Sequence, residues 1–115
     1  MALRNDDDRL AHMLAAAPRA VSLTDGRART DLDDDDVLSL AITRLLEILG
    51  EAAKGVSPET KGRYPDLPWS QMAATRDRLI HGYFSVDLSI VWQIVRHDLP
   101  PVVAALEAIA QDEKE

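Results

Sequence analysis

Apolar positions recur at helical spacing along most of the chain. Leu10, Met13, Leu14 and Ala17 fall on one face of a first helix that starts near Asn5 or Asp6 and ends between 19 and 21. Asp6, Asp7 and Asp8 suit its positive N-terminal end, and Pro18 ends or kinks it. Thr24-Asp25-Gly26 reads as a turn. From Val37 to about Lys54 a second helix carries a broad stripe of Leu38, Ala41, Ile42, Leu45, Leu46, Ile48, Leu49 and Ala52. Gly50 lies inside this stripe, where a missing side chain permits close helix packing. The acidic run from Asp31 to Asp36 reads as a solvated helix start, because it lacks the Gly and the distal Glu of a calcium loop.

Gly55-Val56-Ser57-Pro58 closes the second helix, and Ser57-Pro58-Glu59-Thr60 suits one short helical turn. A Pro-rich loop, Tyr64-Pro65-Asp66-Leu67-Pro68, leads to a third helix from Pro68 or Trp69 to Ile80. Gly82 marks its end or a distortion. A fourth helix runs from Asp87 to about Asp98 with Leu88, Val91, Trp92 and Val95 inward. Asp98-Leu99-Pro100-Pro101 reads as a cap with prolines at the start of a fifth helix, which carries Val102, Val103, Leu106 and Ile109. Residues 111–115 are acidic and expected to fray. The pattern predicts an all-α, four- or five-helix, largely up-and-down bundle forming a single domain over 1–115.

Composition agrees with helices: 46% of residues are hydrophobic but only 4% are aromatic, and strand-like alternation is scarce. There is no cysteine, so neither a disulfide nor a thiolate site is available. The first residues turn acidic at once, unlike a secretory leader, and the apolar stretches are too short to span a bilayer. A cytoplasmic protein without a membrane partner is expected. The net charge of −7 argues against strong non-specific binding to duplex DNA. The charge is uneven, however. From Lys54 to Arg96, six Lys/Arg stand against four Asp/Glu, which leaves −9 for the rest of the chain. Screening over about 8–10 Å lets a basic pocket persist on an acidic body.

Chemistry is most plausible along the third helix. Trp69, Met72, Ala73, Leu79 and Ile80 are apolar, and Arg76 falls on the same stripe. An arginine there needs an ion pair, a second subunit or a ligand. In an ideal helix Arg76 and His81 splay by roughly 140°, whereas Asp77 and His81 share a face and Arg76 aligns with Tyr83. Convergence of Arg76 and His81 on one phosphate then requires a distortion near Gly82 or two copies across a two-fold axis. His12 is read as structural, Trp69 and Trp92 as core anchors, and Arg96 and His97 as possible neighbours of the motif. Three scattered histidines make no transition-metal site.

The spacing Arg76-x-x-x-x-His81-x-Tyr83 resembles the signature of the HepT-like toxins in the HEPN ribonuclease superfamily. The stretch from Leu46 to Lys54, the pair Pro68-Trp69, the stretch from Val86 to Trp92, and Asp98-Leu99-Pro100 are similar to further family landmarks in the same order. The family commonly has Asn after the motif arginine; this chain has Asp77, a carboxylate that would repel a nearby phosphate.

The resemblance implies an endoribonuclease toxin, independent of metal and cofactor, that cleaves RNA such as tRNA or mRNA. Arg76 and His81 would be catalytic, with Asp77 and Arg78 in support. The resemblance also implies a homodimer and a cognate nucleotidyltransferase antitoxin that transfers AMP to Tyr83. The alternative is a non-catalytic helical module that docks on such a partner and is modified by it.

Overall fold

The computed structural model describes residues 2–81 and 85–114, with side chains over 5–79 and 86–112. Among the described residues, eight α-helices, one π segment and two very short strands follow in order: α1 (Ala2–Thr24), α2 (Asp31–Asp34), α3 (Asp36–Gly55), α4 (Pro58–Arg63), α5 (Trp69–Ala73), α6 (Thr75–Leu79), β1 (Ile80–His81), β2 (Ser85–Val86), α7 (Leu88–Gln93), the π segment Ile94–Asp98, and α8 (Leu99–Lys114). The fold is all-α apart from the antiparallel β1–β2 pair, which matches Ile80 to Val86 and His81 to Ser85. None of the helices among the described residues is long and apolar enough to cross a membrane.

Helices α1 and α3 share the most extensive contact, and α8 and α5 pack against this pair. The core-facing stripe of α3 is largely as expected. Leu38, Ile42, Leu46, Leu49 and Ala52 are buried, Leu45 and Ile48 are half-buried, and Ala41 is instead exposed. Asp35 caps α3 by accepting a hydrogen bond from the Leu38 amide at 3.0 Å, so the acidic run does start a helix. Ser57 caps α4 through the Thr60 amide, and Asp87 caps α7 through the amides of Ser89 and Ile90.

Two prolines do not break the chain as the sequence suggests. Pro18 lies inside α1, which continues to Thr24. One lost hydrogen bond and a ring clash are tolerated there because Ala16, Ala17 and Ala20 are buried on both sides of it. The fourth and fifth expected helices are joined rather than capped at Asp98. The Leu99 amide reaches back to the Ile94 carbonyl, and this wider π turn makes room for Pro100, which can neither donate to nor fit against a tight α turn. Helix α8 extends to Lys114.

A buried carboxylate ties α1 to α4. Asp6 accepts hydrogen bonds from the Ser57 amide at 2.9 Å, the Ser57 hydroxyl at 2.6 Å and the Thr60 hydroxyl. Burial pushes its pKa up, but the hydrogen bonds from Ser57 and Thr60, with the nearby Arg9 charge, outweigh that and hold it below the ordinary aspartate value. The sequence reading gave Asp6 only a helix-end role.

Candidate active site at the α6–β1 junction

The motif helix is built against a glycine. A Cβ on Gly50 of α3 would stand 3.0 Å from the Met72 carbonyl and 3.6 Å from the Thr75 Cβ. Only a glycine lets the α5–α6 backbone come this near. The expected third helix is present but divided at Ala74. Thr75 is buried and its hydroxyl donates to the Gln71 carbonyl at 3.1 Å. A side-chain bond of this kind to the preceding turn bends a helix. Trp69, Met72, Thr75 and Leu79 face the core, so the buried stripe passes Arg76 by. Arg76, Asp77 and Arg78 are all exposed.

The sequence pattern puts Arg76 on the apolar stripe and carries the third helix to Ile80. Both readings are corrected. Helix α6 ends at Leu79, and His81 belongs to β1. The Asp87 amide donates to the Leu79 carbonyl at 2.7 Å, which takes the helix's last buried residue into the strand pair. The ideal-helix angles relating His81 to Arg76 and Asp77 therefore do not apply. Gly82 and Tyr83 lie outside the described residues, and with them the expected alignment of Tyr83 with Arg76.

Arg78 is not a free surface cation. Its guanidinium donates to the Asp98 carboxylate at 3.3 Å, joining α6 to the π segment. Asp98, read from sequence as a helix cap, is a partner that no local pattern signals, because the two residues stand 20 positions apart. Arg96 is bound to the end of α1. Its guanidinium donates to the Thr24 hydroxyl at 3.1 Å and to the Asp25 carboxylate at 3.2 Å, at the end of α1. His97 is exposed on the π segment, and His12 is exposed rather than structural. Trp69 is buried, with its indole N–H donating to the Tyr64 carbonyl at 2.9 Å, while Trp92 is half-buried. Among the described residues no cluster of His, Asp or Glu could hold a metal ion. A cleft of about 370 Å³ between Arg63–Leu67 and α8 contains no motif residue.

Arg76 is exposed on α6, one turn before the strand to which His81 belongs, so the motif brings an arginine and a histidine close together in sequence. A guanidinium suits a phosphate and can neutralise charge that develops on it. An imidazole can take a proton near neutral pH.

The chain is similar to known proteins over most of its length. The family model described as "Ribonuclease HepT-like" matches residues 13–109. A protein of Thermococcus cleftensis named "Probable ribonuclease HepT" is 40% identical over 75 residues, covering 65% of this chain and 68% of its own. A protein of Caldanaerobacter subterraneus subsp. tengcongensis named "Putative RNase" is 34% identical over 105 residues, covering 91% of this chain and 94% of its own. A Methanocaldococcus jannaschii protein with the same designation is 30% identical over 92 residues, 80% of this chain and 76% of that one. No solved structure matches. With most of its length inside the family match, and the Arg76 to Tyr83 motif within it, this chain belongs to the HepT-like ribonuclease family.

Proposed function

We propose that this chain is an endoribonuclease toxin that cuts RNA at the segment from Arg76 to Tyr83, with no requirement for a metal ion. The family match over 13–109, which takes in the whole motif, is the observation that carries this reading. His81 accepts the proton of a ribose 2′-OH. The 2′ oxygen attacks the adjacent phosphorus, the P–O5′ bond breaks, and the 5′ oxygen leaves with its bonding electrons and takes up a proton. Arg76 holds the phosphate and offsets the charge that builds on it. The product carries a 2′,3′-cyclic phosphate. DNA lacks the attacking hydroxyl and is left intact. Asp77 and Arg78 stand in the same segment as supporting residues, with Arg78 held by Asp98. The working form is a homodimer, with a nucleotidyltransferase antitoxin as its second partner and Tyr83 as the acceptor of AMP.

The test is the chemistry of the cut end. Purified protein is incubated with a short RNA, and with the same RNA carrying one 2′-deoxyribose at the cleaved position, in EDTA. A 2′,3′-cyclic phosphate from the first substrate and no cut at the deoxy position are expected. Cleavage at the deoxy position, or activity that vanishes in EDTA and returns with Mg²⁺, contradicts the mechanism.

A further inference from the structure

Asp87 uses its amide, its carboxylate and its carbonyl at once. The amide donates to the Leu79 carbonyl at 2.7 Å. The carboxylate accepts from the amides of Ser89 at 3.0 Å and Ile90 at 3.1 Å. The carbonyl accepts from the Val91 amide at 3.0 Å, which starts the α7 ladder. Both ends of this joint are held by other parts of the bundle. Leu79 is buried at the end of the motif helix. The Ser89 hydroxyl accepts from the Arg29 guanidinium at 3.0 and 3.3 Å, and Arg29 also donates to Asp33 at 3.1 Å.

The strand pair between these anchors is minimal, with Ile80 matched to Val86 and His81 to Ser85. A two-stranded ribbon is marginal by itself even at greater length. A slip of one residue in such a pair sends every side chain to the opposite face. The register of His81 therefore depends on the base of the pair, where the Asp87–Leu79 bond is the next rung. We propose that Asp87 is a positioning residue for the cleavage reaction. By capping α7 and bonding the end of α6, it holds β1 in the register that sets His81 relative to Arg76. Arg76 precedes Leu79 on α6, so the arginine does not depend on this joint and the histidine strand does. The carboxylate works through the amides it caps, and its charge takes no part in the chemistry. Asparagine caps about as well as aspartate and should substitute for it; alanine does not cap.

The proposal rests on the ribonuclease reading of the preceding subsection. Amide hydrogen exchange of the full chain by NMR, with steady-state cleavage of a short RNA on the same samples, tests the two separately. In Asp87→Ala the amides of β1, β2 and residue 87 should lose protection several-fold while those of α1 and α3 keep theirs. Its kcat should fall by about tenfold to a hundredfold, the effect of misplacing a reacting group by about 1 Å, with KM little changed. Asp87→Asn should keep both the protection and most of kcat. If Asp87→Ala does not fold, Asp87→Thr, a weaker cap, should show smaller losses of the same kind. Retained strand protection, or an unchanged kcat in the folded alanine or threonine variant, overturns the proposal. So does a loss of kcat in Asp87→Asn as large as in Asp87→Ala with the strands still protected, because the charge then acts on the chemistry directly. An unaltered protein that cuts no RNA overturns the ribonuclease reading and the positioning role with it, and the exchange data then judge the Asp87 joint as a feature of the fold alone.

Discussion

The Arg78 guanidinium is bound to the Asp98 carboxylate at 3.3 Å, and this pair links the motif helix to the π turn. Both side chains are more than a third exposed, so the pair adds little to stability, at most about 1 kcal/mol. Its consequence is for RNA. While Asp98 holds Arg78, the net charge the pair offers a phosphate is close to zero. Asp98→Asn is expected to raise affinity for single-stranded RNA several-fold. It should also steepen the log-log salt dependence by about 0.7, the value for one added phosphate contact on a single strand. Arg78→Ala in the same background should remove the gain. Fluorescence anisotropy of a labelled oligonucleotide at four salt concentrations reads both effects.

Asp6 predicts an acid-sensitive fold. Replacing it by Ala leaves the Ser57 amide and two hydroxyls without their acceptor and should cost about 1–3 kcal/mol in denaturant unfolding. The pH dependence follows from the lowered pKa. The unfolded carboxyl titrates near 3.9, so the contribution is fully present above that value and is lost as pH falls through the lower folded one. Asp6→Asn should be less stable at neutral pH and lose less on acidification below about pH 4. A parallel acid dependence in the two proteins would show that other carboxylates dominate.

Gly50 predicts a coupling between the core and the motif. A valine there must displace the Met72 backbone, to which even a Cβ is at 3.0 Å. Gly50→Val is expected to destabilise by about 1–3 kcal/mol and to reduce RNA cleavage in the fraction that remains folded. Thermal unfolding and cleavage assayed well below the midpoint separate the two effects. Unchanged stability would mean that α5–α6 moves away without cost.

Tyr83 predicts the route of neutralisation. On the proposed function, AMP on its hydroxyl would add a phosphate charge within the motif and oppose RNA by repulsion and by occupancy. Tyr83→Phe should keep the fold and cleavage yet escape neutralisation by the nucleotidyltransferase. Intact mass after co-expression reads it. An AMP-sized increase that persists in Tyr83→Phe moves the acceptor elsewhere.

Much of the bundle is legible along the chain because burial follows helical period. Val91, Val95, Leu106 and Ile109 are inward as their spacing says, and Asp35 and Asp87 cap where a carboxylate precedes an apolar run. The errors have local causes. Pro18 and Pro100 look like boundaries because their penalty is local, while the burial that overrides it comes from other helices. Leu79 and Ile80 extend the helical pattern, but two adjacent apolar residues fit a helix end and a strand equally well. Only the Asp87–Leu79 and β1–β2 hydrogen bonds decide between them. The same ambiguity put Arg76 on a stripe that actually runs through Thr75, a residue whose hydroxyl hides its buried position. The partner of Arg78 and the anchor role of Asp6 depend on contacts 20 and about 50 residues away, which no window of periodicity contains.

On the proposed function, Arg76 and His81 cut RNA. RNA cleavage by purified protein, compared with His81→Ala and Arg76→Ala, each checked for unchanged helical circular dichroism, decides this. Loss of cleavage by at least a hundredfold in both folded variants is the expected result. Full cleavage by a folded His81→Ala protein would contradict it.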